Sequence, residues 1–254
     1  MYDQVCYQKS YLKQVIAKVD FASPLSQIQN GVPTKLLNTI IENFSIVEPG
    51  ELLNHELSIE GESFQSKQTM MKQWNYFSKD RSRQLTLSAE SIFVVYTVYN
   101  SYEETKEQFG IAINALSKAF PDTKASRFGL RYINQIDPAL DDATKWDDFI
   151  NPYLLDNRKF FENTDSLTRL ISIAELQYDD ISVRFQFGMP NPDYPAPIKR
   201  PLFILDLDGS VSQAHDLTDT LSYMDQAHGH IQKIYERSIT DNLRGKMDVR
   251  PVQQ

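Results

Sequence analysis

The sequence predicts an α+β fold in which antiparallel sheets are covered by helices. Three observations predict it: runs of alternating apolar and polar residues, long amphipathic helical stretches that follow those runs, and no strand-helix alternation of the kind that builds a parallel sheet. The chain has 254 residues, of which 41% are hydrophobic and 24% are charged. This is the composition of an ordinary folded protein, and the length suits one or two domains with a substantial core.

The N-terminal half begins with strand and helix signals. The segment Val15–Phe21 (VIAKVDF) alternates apolar and polar residues, which predicts a half-buried strand. Pro33 then suits the first position of a helix whose apolar residues recur at helical spacing as far as Phe44. From Ile46 to Tyr99, segments rich in β-branched and aromatic residues, such as SIFVVYTVY, predict a meander of three or more antiparallel strands.

The clearest helix signal in this half follows the meander. Ser101 and Glu104 form an S-x-x-E capping box, in which side chains satisfy the first backbone N–H groups of a helix. Apolar residues then recur at helical spacing from Phe109 to Phe120, and Pro121 ends the pattern. We therefore expect an amphipathic helix packed on the meander.

The second half runs through the same order of elements. The segment Arg127–Ile136 (RFGLRYINQI) alternates as a strand, and apolar residues from Trp146 to Leu154 predict a short helix in spite of Pro152. The segments LTRLISIAELQY, ISVRFQFG and PLFILDLDG predict three more strands. Asp216 is then expected to cap a long C-terminal helix.

The order strand, helix, three strands, helix thus occurs twice. It predicts a pseudo-duplication with an N-terminal half at 1–125 and a C-terminal half at 126–254. The residues themselves show no convincing repeat, so this inference depends on element order. No flexible linker separates the halves, and we expect them to pack closely or to form one continuous domain.

A proline-rich loop joins the last two predicted strands. The segment Gly188–Pro201 (GMPNPDYPAPIKRP) carries five of the twelve prolines. Proline cannot donate a hydrogen bond to a strand ladder, so the segment is interpreted as a stiff hairpin loop. A partner-binding arm is the alternative interpretation.

Charge and cysteine content exclude several classes of protein. The formal net charge is −8, which disfavours a broad nucleic-acid-binding surface because such a surface needs an excess of Lys and Arg. One cysteine excludes an internal disulfide, and the four histidines have no companions at zinc-ligand spacing. No secretory signal or membrane-spanning run is visible. We expect a cytoplasmic protein with no metal and no cofactor.

The segment LFILDLDGSVS, residues 202–212, is similar to the aspartate loop of haloacid-dehalogenase-type phosphatases, in which the first Asp of DxDG attacks phosphorus. Only 46 residues follow Asp208, and nearly all of them are predicted to form one helix, so the remaining site residues have no place. Alternation also puts Asp206 and Asp208 on the face opposite Leu205 and Leu207. We reject the phosphatase interpretation and expect both acids on the solvent side of an antiparallel strand, or paired across strands.

The predicted strand RFGLRYINQI is the better place for a ligand. Arg127 and Arg131 share one face about 13 Å apart, with Gly129 between them, and guanidinium groups suit a carboxylate or phosphate. The favoured interpretation is that each arginine pairs with an acid on an adjacent strand, Asp20, Asp206 or Asp208. The full set of ligand-binding candidates is Arg127, Arg131, Tyr132, Asn134, Asp206 and Asp208.

The histidines give no catalytic pattern. His228 and His230 are two residues apart on a predicted helix and point in divergent directions, so they cannot share a ligand. We expect His228 in the core and His230 on the surface. His55 and His215 lie in loop-like or capping surroundings without a nucleophile motif, and no Walker loop, GxGxxG, HExxH, EF-hand or CxxC occurs. Catalytic residues therefore stay unassigned.

Several segments together resemble a known family. They are VIAKVDF, YNSYEETKEQF, RFGLRYINQI, the LDLD strand and YERSITDNLR. In these segments the chain resembles a sporadically distributed bacterial family of about 250 residues with no assigned function, and RxGLRYIN is the most specific element. The resemblance covers nearly the whole chain. It implies a bacterial, cytoplasmic, stand-alone protein and supplies no catalytic residues.

Two functions remain. The favoured one is a non-catalytic binding or protein-interaction module that presents a cleft or sheet edge to a protein or small-molecule partner. The alternative is an unfamiliar nucleic-acid-processing or nucleotide-binding protein that uses an Arg/aromatic strand face such as Arg127, Arg131 and Tyr132. The negative charge and the lack of a catalytic motif favour the first. We expect no membrane partner, and the sequence does not predict an oligomeric state.

Overall fold

The structure is a computed structural model that describes residues 6–60, 63–138, 140 and 142–250. The strands are β1 (Cys6–Tyr7), β2 (Leu12–Phe21), β3 (Ile46–Glu60), β4 (Ser63–Phe77), β5 (Arg83–Ser88), β6 (Ser91–Tyr96), β7 (Lys124–Ile136), β8 (Leu170–Tyr178), β9 (Ile181–Met189), β10 (Phe203–Val211), β11 (His215–Asp216) and β12 (Val249–Arg250). The helices are α1 (Thr34–Asn43), α2 (Tyr102–Ala119), α3 (Thr220–Ser238) and α4 (Asp241–Met247). The predicted α+β class is confirmed.

Ten of these strands form one large antiparallel sheet. Nine follow the order β3-β4-β5-β6-β2-β7-β10-β9-β8, and β11 pairs with β7. The hairpins β3–β4, β4–β5, β5–β6, β8–β9 and β9–β10 are antiparallel with continuous registers. The separate pair β1–β12 is antiparallel too. The predicted meanders and the predicted antiparallel pairing are therefore confirmed.

The chain divides into two compact units. The first unit comprises Ile16–Phe128 with Ser212–Leu221, and the second comprises the described residues of Met1–Val15, Gly129–Val211 and Ser222–Gln254. Four strands follow α1 along the chain, whereas three strands, β8 to β10, follow β7. The division into halves at 1–125 and 126–254, and the pseudo-duplication, stay predictions.

In the first unit, the predicted capping box and the helical spacing of apolar residues both correspond to the observed helix α2. Ser101 Oγ accepts a hydrogen bond from Glu104 N at 3.1 Å, so the predicted capping box starts α2. Phe109 and Leu116 on this helix are fully buried. Trp74 of β4 donates its indole N–H to the Ile28 carbonyl at 3.0 Å. The core of this unit therefore lies between the helices and the strands of the first meander.

The prediction of one short helix from Trp146 to Leu154 is wrong, because only Pro152–Leu154 is helical. Trp146 and Ile150 are buried, but the chain then forms a 3-10 helix, Pro152–Leu154, whose first turn is capped by the Asn151 side chain. Pro152 has no N–H to donate, so an α-helix cannot continue through it. Further 3-10 helices follow at Asp156–Phe160 and Thr164–Ser166.

The helix cap predicted at Asp216 is present in position only: Asp216 precedes the 3-10 turn Leu217–Asp219 that leads into α3, but its side chain does not cap that turn. Asp216 belongs to β11 and makes no capping hydrogen bond. Its carboxylate lies 3.3 Å from Lys124 Nζ on the neighbouring strand β7. The α3 helix begins at Thr220, after a 3-10 turn. Pairing with a strand distant in sequence has thus outweighed the local capping preference of Asp216.

The proline-rich segment Gly188–Pro201 is a well-bonded hairpin connection between β9 and β10. Asn191 is buried and donates to two backbone carbonyls at 2.8 and 2.7 Å. Asp193 and Arg200 form an ion pair across the loop. These contacts support the stiff-loop interpretation rather than an arm.

Candidate functional site

Arg131 and Asp206 form a two-point ion pair between neighbouring strands. Arg131 Nε donates to Oδ1 at 2.8 Å and Nη2 donates to Oδ2 at 2.6 Å. The strands that carry them, β7 and β10, are adjacent in the sheet. The hydrogen bond to Asp206 raises the pKa of Arg131 above its ordinary value, so the guanidinium stays charged. The predicted pairing of this arginine with an acid on an adjacent strand is confirmed.

Asp206 and Asp208 share a face of β10 but not an environment. Asp206 is only 7% exposed, so of the two expected arrangements, solvated or paired across strands, it has the second, with Arg131 as its partner. Asp208 is half-buried and stands opposite Arg184 of β9. Arg184 in turn faces Glu175 of β8 at 3.8 Å. Opposite charges therefore alternate across three strands, and such pairs each contribute roughly 0.2–1 kcal/mol.

These charges belong to a larger surface, which we call the open face. It is the side of β8, β9 and β10 on which Asp206 lies, and register places its residues in rows across the strands. The exposed members are Ile173, Glu175, Gln177, Ser182 and Arg184. The surface is therefore mixed, with one exposed apolar side chain beside alternating charges.

The glycine of the DLDG segment has a packing role on the other side of β10. A Cβ atom on Gly209 would lie 3.1 Å from Ala227 Cβ and 3.2 Å from Ile231 Cδ1 of α3. Leu205 and Leu207, which share this side, are fully buried. Only glycine permits α3 to approach β10 so closely without a local shift. The DxDG pattern thus combines an ion pair on one face with a close helix contact on the other.

Tyr132 and Asn134 lie on the face of β7 opposite Arg131. Tyr132 is 6% exposed, and its hydroxyl oxygen is 3.2 Å from His228 Nδ1 on α3. Asn134 is 4% exposed and donates to the Leu205 carbonyl at 3.1 Å. Both side chains therefore bond inside the second unit. The structure does not bring them into one site with Arg131 and Asp206.

Arg127 belongs to the first unit and makes a looser contact. Its Nη1 lies 3.9 Å from Asp20 Oδ2, with both side chains about a third exposed. Lys18 shares the same carboxylate at 2.8 Å. The predicted pairing of Arg127 with an acid of an adjacent strand is present, but its geometry is that of a weak, solvent-screened pair.

No protein-family model matches the sequence. No curated protein matches it either. Within residues 6–60, 63–138, 140 and 142–250, no group of three or more His, Cys, Asp or Glu is placed to hold a metal ion. No helix in the same ranges is long and apolar enough to cross a membrane. The candidate site is therefore defined by geometry alone.

Sequence reasoning missed a buried carboxylate in the second unit. Glu236 on α3 is fully buried, and Tyr7 Oη donates to its two carboxylate oxygens at 3.0 and 2.9 Å. Arg244 of α4 donates from Nε at 3.0 Å. The sequence does contain a signal for this buried pair: an acid in the last turn of a helix is disfavoured by the helix dipole and needs a cationic or hydrogen-bonding partner. The cluster fastens β1 and α4 to the end of α3.

His230 is half-buried rather than exposed, and it stacks on Tyr178. The two ring centroids are 4.2 Å apart with planes 9° from parallel. Burial, and then the charge of Lys233, hold the pKa of His230 below its ordinary value. His228, predicted in the core, is half-buried and contacts Tyr132. His55 lies in β3 rather than in a loop.

Proposed function

We propose that this protein is a non-catalytic interaction module that binds a protein partner through the open face. The Arg131–Asp206 pair carries the proposal. A catalytic acid or base must reach a substrate proton, whereas these two groups satisfy each other at 2.8 and 2.6 Å within the sheet. They act as a structural support for the exposed residues beside them.

The surroundings of the pair support a binding role. In the described part of the chain, no buried side-chain nitrogen or oxygen lacks a hydrogen-bond partner, and unpaired buried atoms of that kind are what a strained or catalytic site leaves behind. The open face itself mixes Ile173, 52% exposed, with the charges of Glu175 and Arg184. Such a mixture of apolar and polar side chains is typical of non-obligate protein interfaces.

We further propose that the protein is a cytoplasmic member of the sporadic bacterial family that it resembles. The support lies in the RxGLRYIN segment, where Arg131, Tyr132 and Asn134 each make a contact that fixes β7 to β10 or α3. The segment thus has a structural role in the fold. The exposed residues of the open face would determine which partner binds.

The alternative, a nucleotide- or nucleic-acid-binding protein, has weaker support. Base stacking needs an aromatic ring that a base can reach, and Tyr132 is 6% exposed. Arg131, on the opposite face of β7, is bound to Asp206. An Arg/aromatic platform built from these residues would have to break two hydrogen-bonded contacts.

In-cell photo-crosslinking tests the proposal. The crosslinking residue p-benzoylphenylalanine is placed at Ser182, on the open face, in the full-length chain expressed in the bacterium that encodes it. Val98, 58% exposed in the first unit, receives the same residue as the control. We expect one predominant protein adduct from Ser182 that is absent from Val98 and that binds the purified chain stoichiometrically. Equal adducts from both positions, or an RNA adduct from Ser182, would contradict the proposal.

A further inference from the structure

The strand β8 is the outermost strand at the second unit's end of the strand order. Its pairing with β9 starts beside the two-residue turn Asp179–Asp180 and continues without a bulge from Tyr178 to Leu170. Hydrogen-bonded pairs recur at every second residue in an antiparallel ladder, and a two-residue turn is closed by such a pair. The backbone groups of residues 171, 173, 175 and 177 therefore point away from β9, toward the outside of the sheet.

The other outermost strand, β3, differs from β8 in composition. Its fifteen residues include Pro49 and four glutamates. Proline and repeated charge are the means by which natural proteins prevent an edge strand from pairing with another chain. The nine residues of β8, LISIAELQY, contain no proline and a single charge. One sheet edge is thus protected by its sequence, and the other is left able to pair.

One exposed apolar side chain lies on the open face of β8, and another lies on a 3-10 helix that contacts the other face. Ile173 lies on the open face and is 52% exposed. On the other face, Asn157 of the 3-10 helix Asp156–Phe160 donates to Ser172 Oγ at 2.6 Å. A 3-10 helix has three residues per turn, so Phe160 lies about 6 Å along the same side as Asn157. Phe160 is 84% exposed.

We propose that β8 accepts an extended segment of a partner protein as an additional strand of the sheet. Main-chain hydrogen bonds would provide the pairing, and alternate side chains of the incoming strand would meet Ile173 on one face and Phe160 on the other. This inference rests on the proposed function, since it specifies how the interaction module holds its partner.

Charge identifies the kind of partner. Glu175 is the only ionised residue of β8 and its side chain is 76% exposed. A second copy of the chain would bring another net charge of −8 to the interface, which opposes self-association. A segment that alternates apolar residues with Lys or Arg has all its cations on one face. With that face on the open face, a cation lies beside Glu175, the alkyl stems of the cations cover Ile173, and the apolar side chains lie on the other face.

The test uses a nine-residue fluorescein-labelled peptide of alternating valine and lysine, with the full-length protein. We expect saturable binding, and slowed hydrogen exchange at the amides of Ile173 and Glu175. The variant Glu175→Lys should lose this peptide and gain one of alternating valine and glutamate. Binding without slowed exchange at those amides would overturn the proposal, as would binding of the lysine peptide that Glu175→Lys leaves unchanged.

Two exposed aromatic residues of the second unit give a matched pair of variants. Phe160→Ala should weaken peptide binding about fivefold or more, which corresponds to roughly 1 kcal/mol. Tyr153, 87% exposed, provides the control, and Tyr153→Ala should leave binding unchanged. Equal losses from the two variants would place the peptide elsewhere and overturn the proposal.

A last comparison separates this inference from the proposed function. Ile173→Pro removes an outward N–H from the edge, and its fold is checked by thermal unfolding. We expect it to abolish both peptide binding and the Ser182 adduct. An adduct that survives in Ile173→Pro would overturn strand addition while the interaction module stands. A dimer that forms through β8 in sedimentation would also overturn it, because the occupant would then be a second copy.

Discussion

Asp206 is much less exposed than the arginine that neutralises it. The Arg131 side chain is 41% exposed and the Asp206 side chain 9%, so the guanidinium lies between the carboxylate and water. The two partners therefore differ in what they lose when the other is removed. Arg131 can turn to solvent, whereas Asp206 would remain a charge in the sheet without a counter-ion.

This asymmetry gives the first prediction. We expect Arg131→Met to lower the free energy of unfolding by about 2–4 kcal/mol, because it leaves a nearly buried carboxylate unpaired. The double variant Arg131→Met/Asp206→Leu should recover most of that loss. Urea unfolding at pH 7 measures both. Arg127→Met is the control and should cost about 0–1 kcal/mol, since its contact with Asp20 is loose and solvent-screened; equal losses at the two arginines would contradict the prediction.

The second prediction concerns the glycine of the DLDG segment. Gly209→Ala adds a Cβ at 3.1 Å from Ala227 Cβ, and we expect it to destabilise the protein by about 1–3 kcal/mol through overpacking. Gly229→Ala on α3 is the matched control, because its Cβ would meet nothing within 4 Å. Alanine is the better helix former, so this variant should gain about 0.5–1 kcal/mol. Thermal unfolding measures both changes in stability, which should have opposite signs. A Gly209→Ala variant as stable as the native protein would contradict the packing explanation.

The third prediction concerns alkaline stability. Burial, and then Glu236, hold the pKa of Tyr7 above its ordinary value of 10.0. The folded state thus favours the protonated phenol, so the stabilisation is complete below pH 10 and is lost as pH rises through the higher folded pKa. We expect Tyr7→Phe to cost about 1–3 kcal/mol at pH 8, because a hydrogen bond to a buried charge is removed. Its disadvantage should shrink above pH 10.

Urea unfolding at pH 8 and at pH 11 measures that difference. Tyr153→Phe is the control, since Tyr153 is 87% exposed and its variant should match the native protein at both values. A Tyr7→Phe disadvantage that stayed constant with pH would show that the phenol does not titrate with folding.

The fourth prediction concerns acid stability and His230. Burial and Lys233 lower its pKa, with Asp179 opposing them in part. The folded state therefore favours the neutral ring that stacks on Tyr178, and this stabilisation is present above the ordinary value of 6.5 and is lost as pH falls through the lower folded pKa. An NMR titration should place the midpoint below 6.5. Lys233→Gln should move it upward, and a midpoint unchanged by that variant would exclude Lys233 as a cause.

The features that sequence predicts best are those that depend on near neighbours in the chain. Alternation in Arg127–Ile136 predicts both faces of β7, and the Ser101–Glu104 pair predicts the start of α2, since each pattern lies within one element. The pairing of Arg131 with an acid of an adjacent strand is likewise predicted by residue type. The burial of Asp206 that results from this pairing is not predicted, because it depends on which strand lies beside β10.

The remaining failures have both non-local and local causes. Asp216 has the residue type of a cap, but its strand pairing with Lys124 spans ninety-two positions, which no local pattern reveals. At Pro152 the missing N–H, a local signal, decides the structure over the apolar spacing around it. Glu236 carries a local signal, since an acid at the C-terminal end of a helix is disfavoured by the helix dipole. Tyr7, which satisfies it, is 229 residues away.

The contact between Gly209 and α3 has a consequence beyond this chain. On a strand, an acid and a glycine one or three positions apart lie on opposite faces of the sheet, so the acid can pair with a cation while the glycine packs against a helix. A short pattern then reproduces the letters of a phosphoryl-transfer loop without any of its chemistry. The space above the glycine distinguishes the two cases: a phosphate loop leaves it open for the ligand, and here Ala227 fills it.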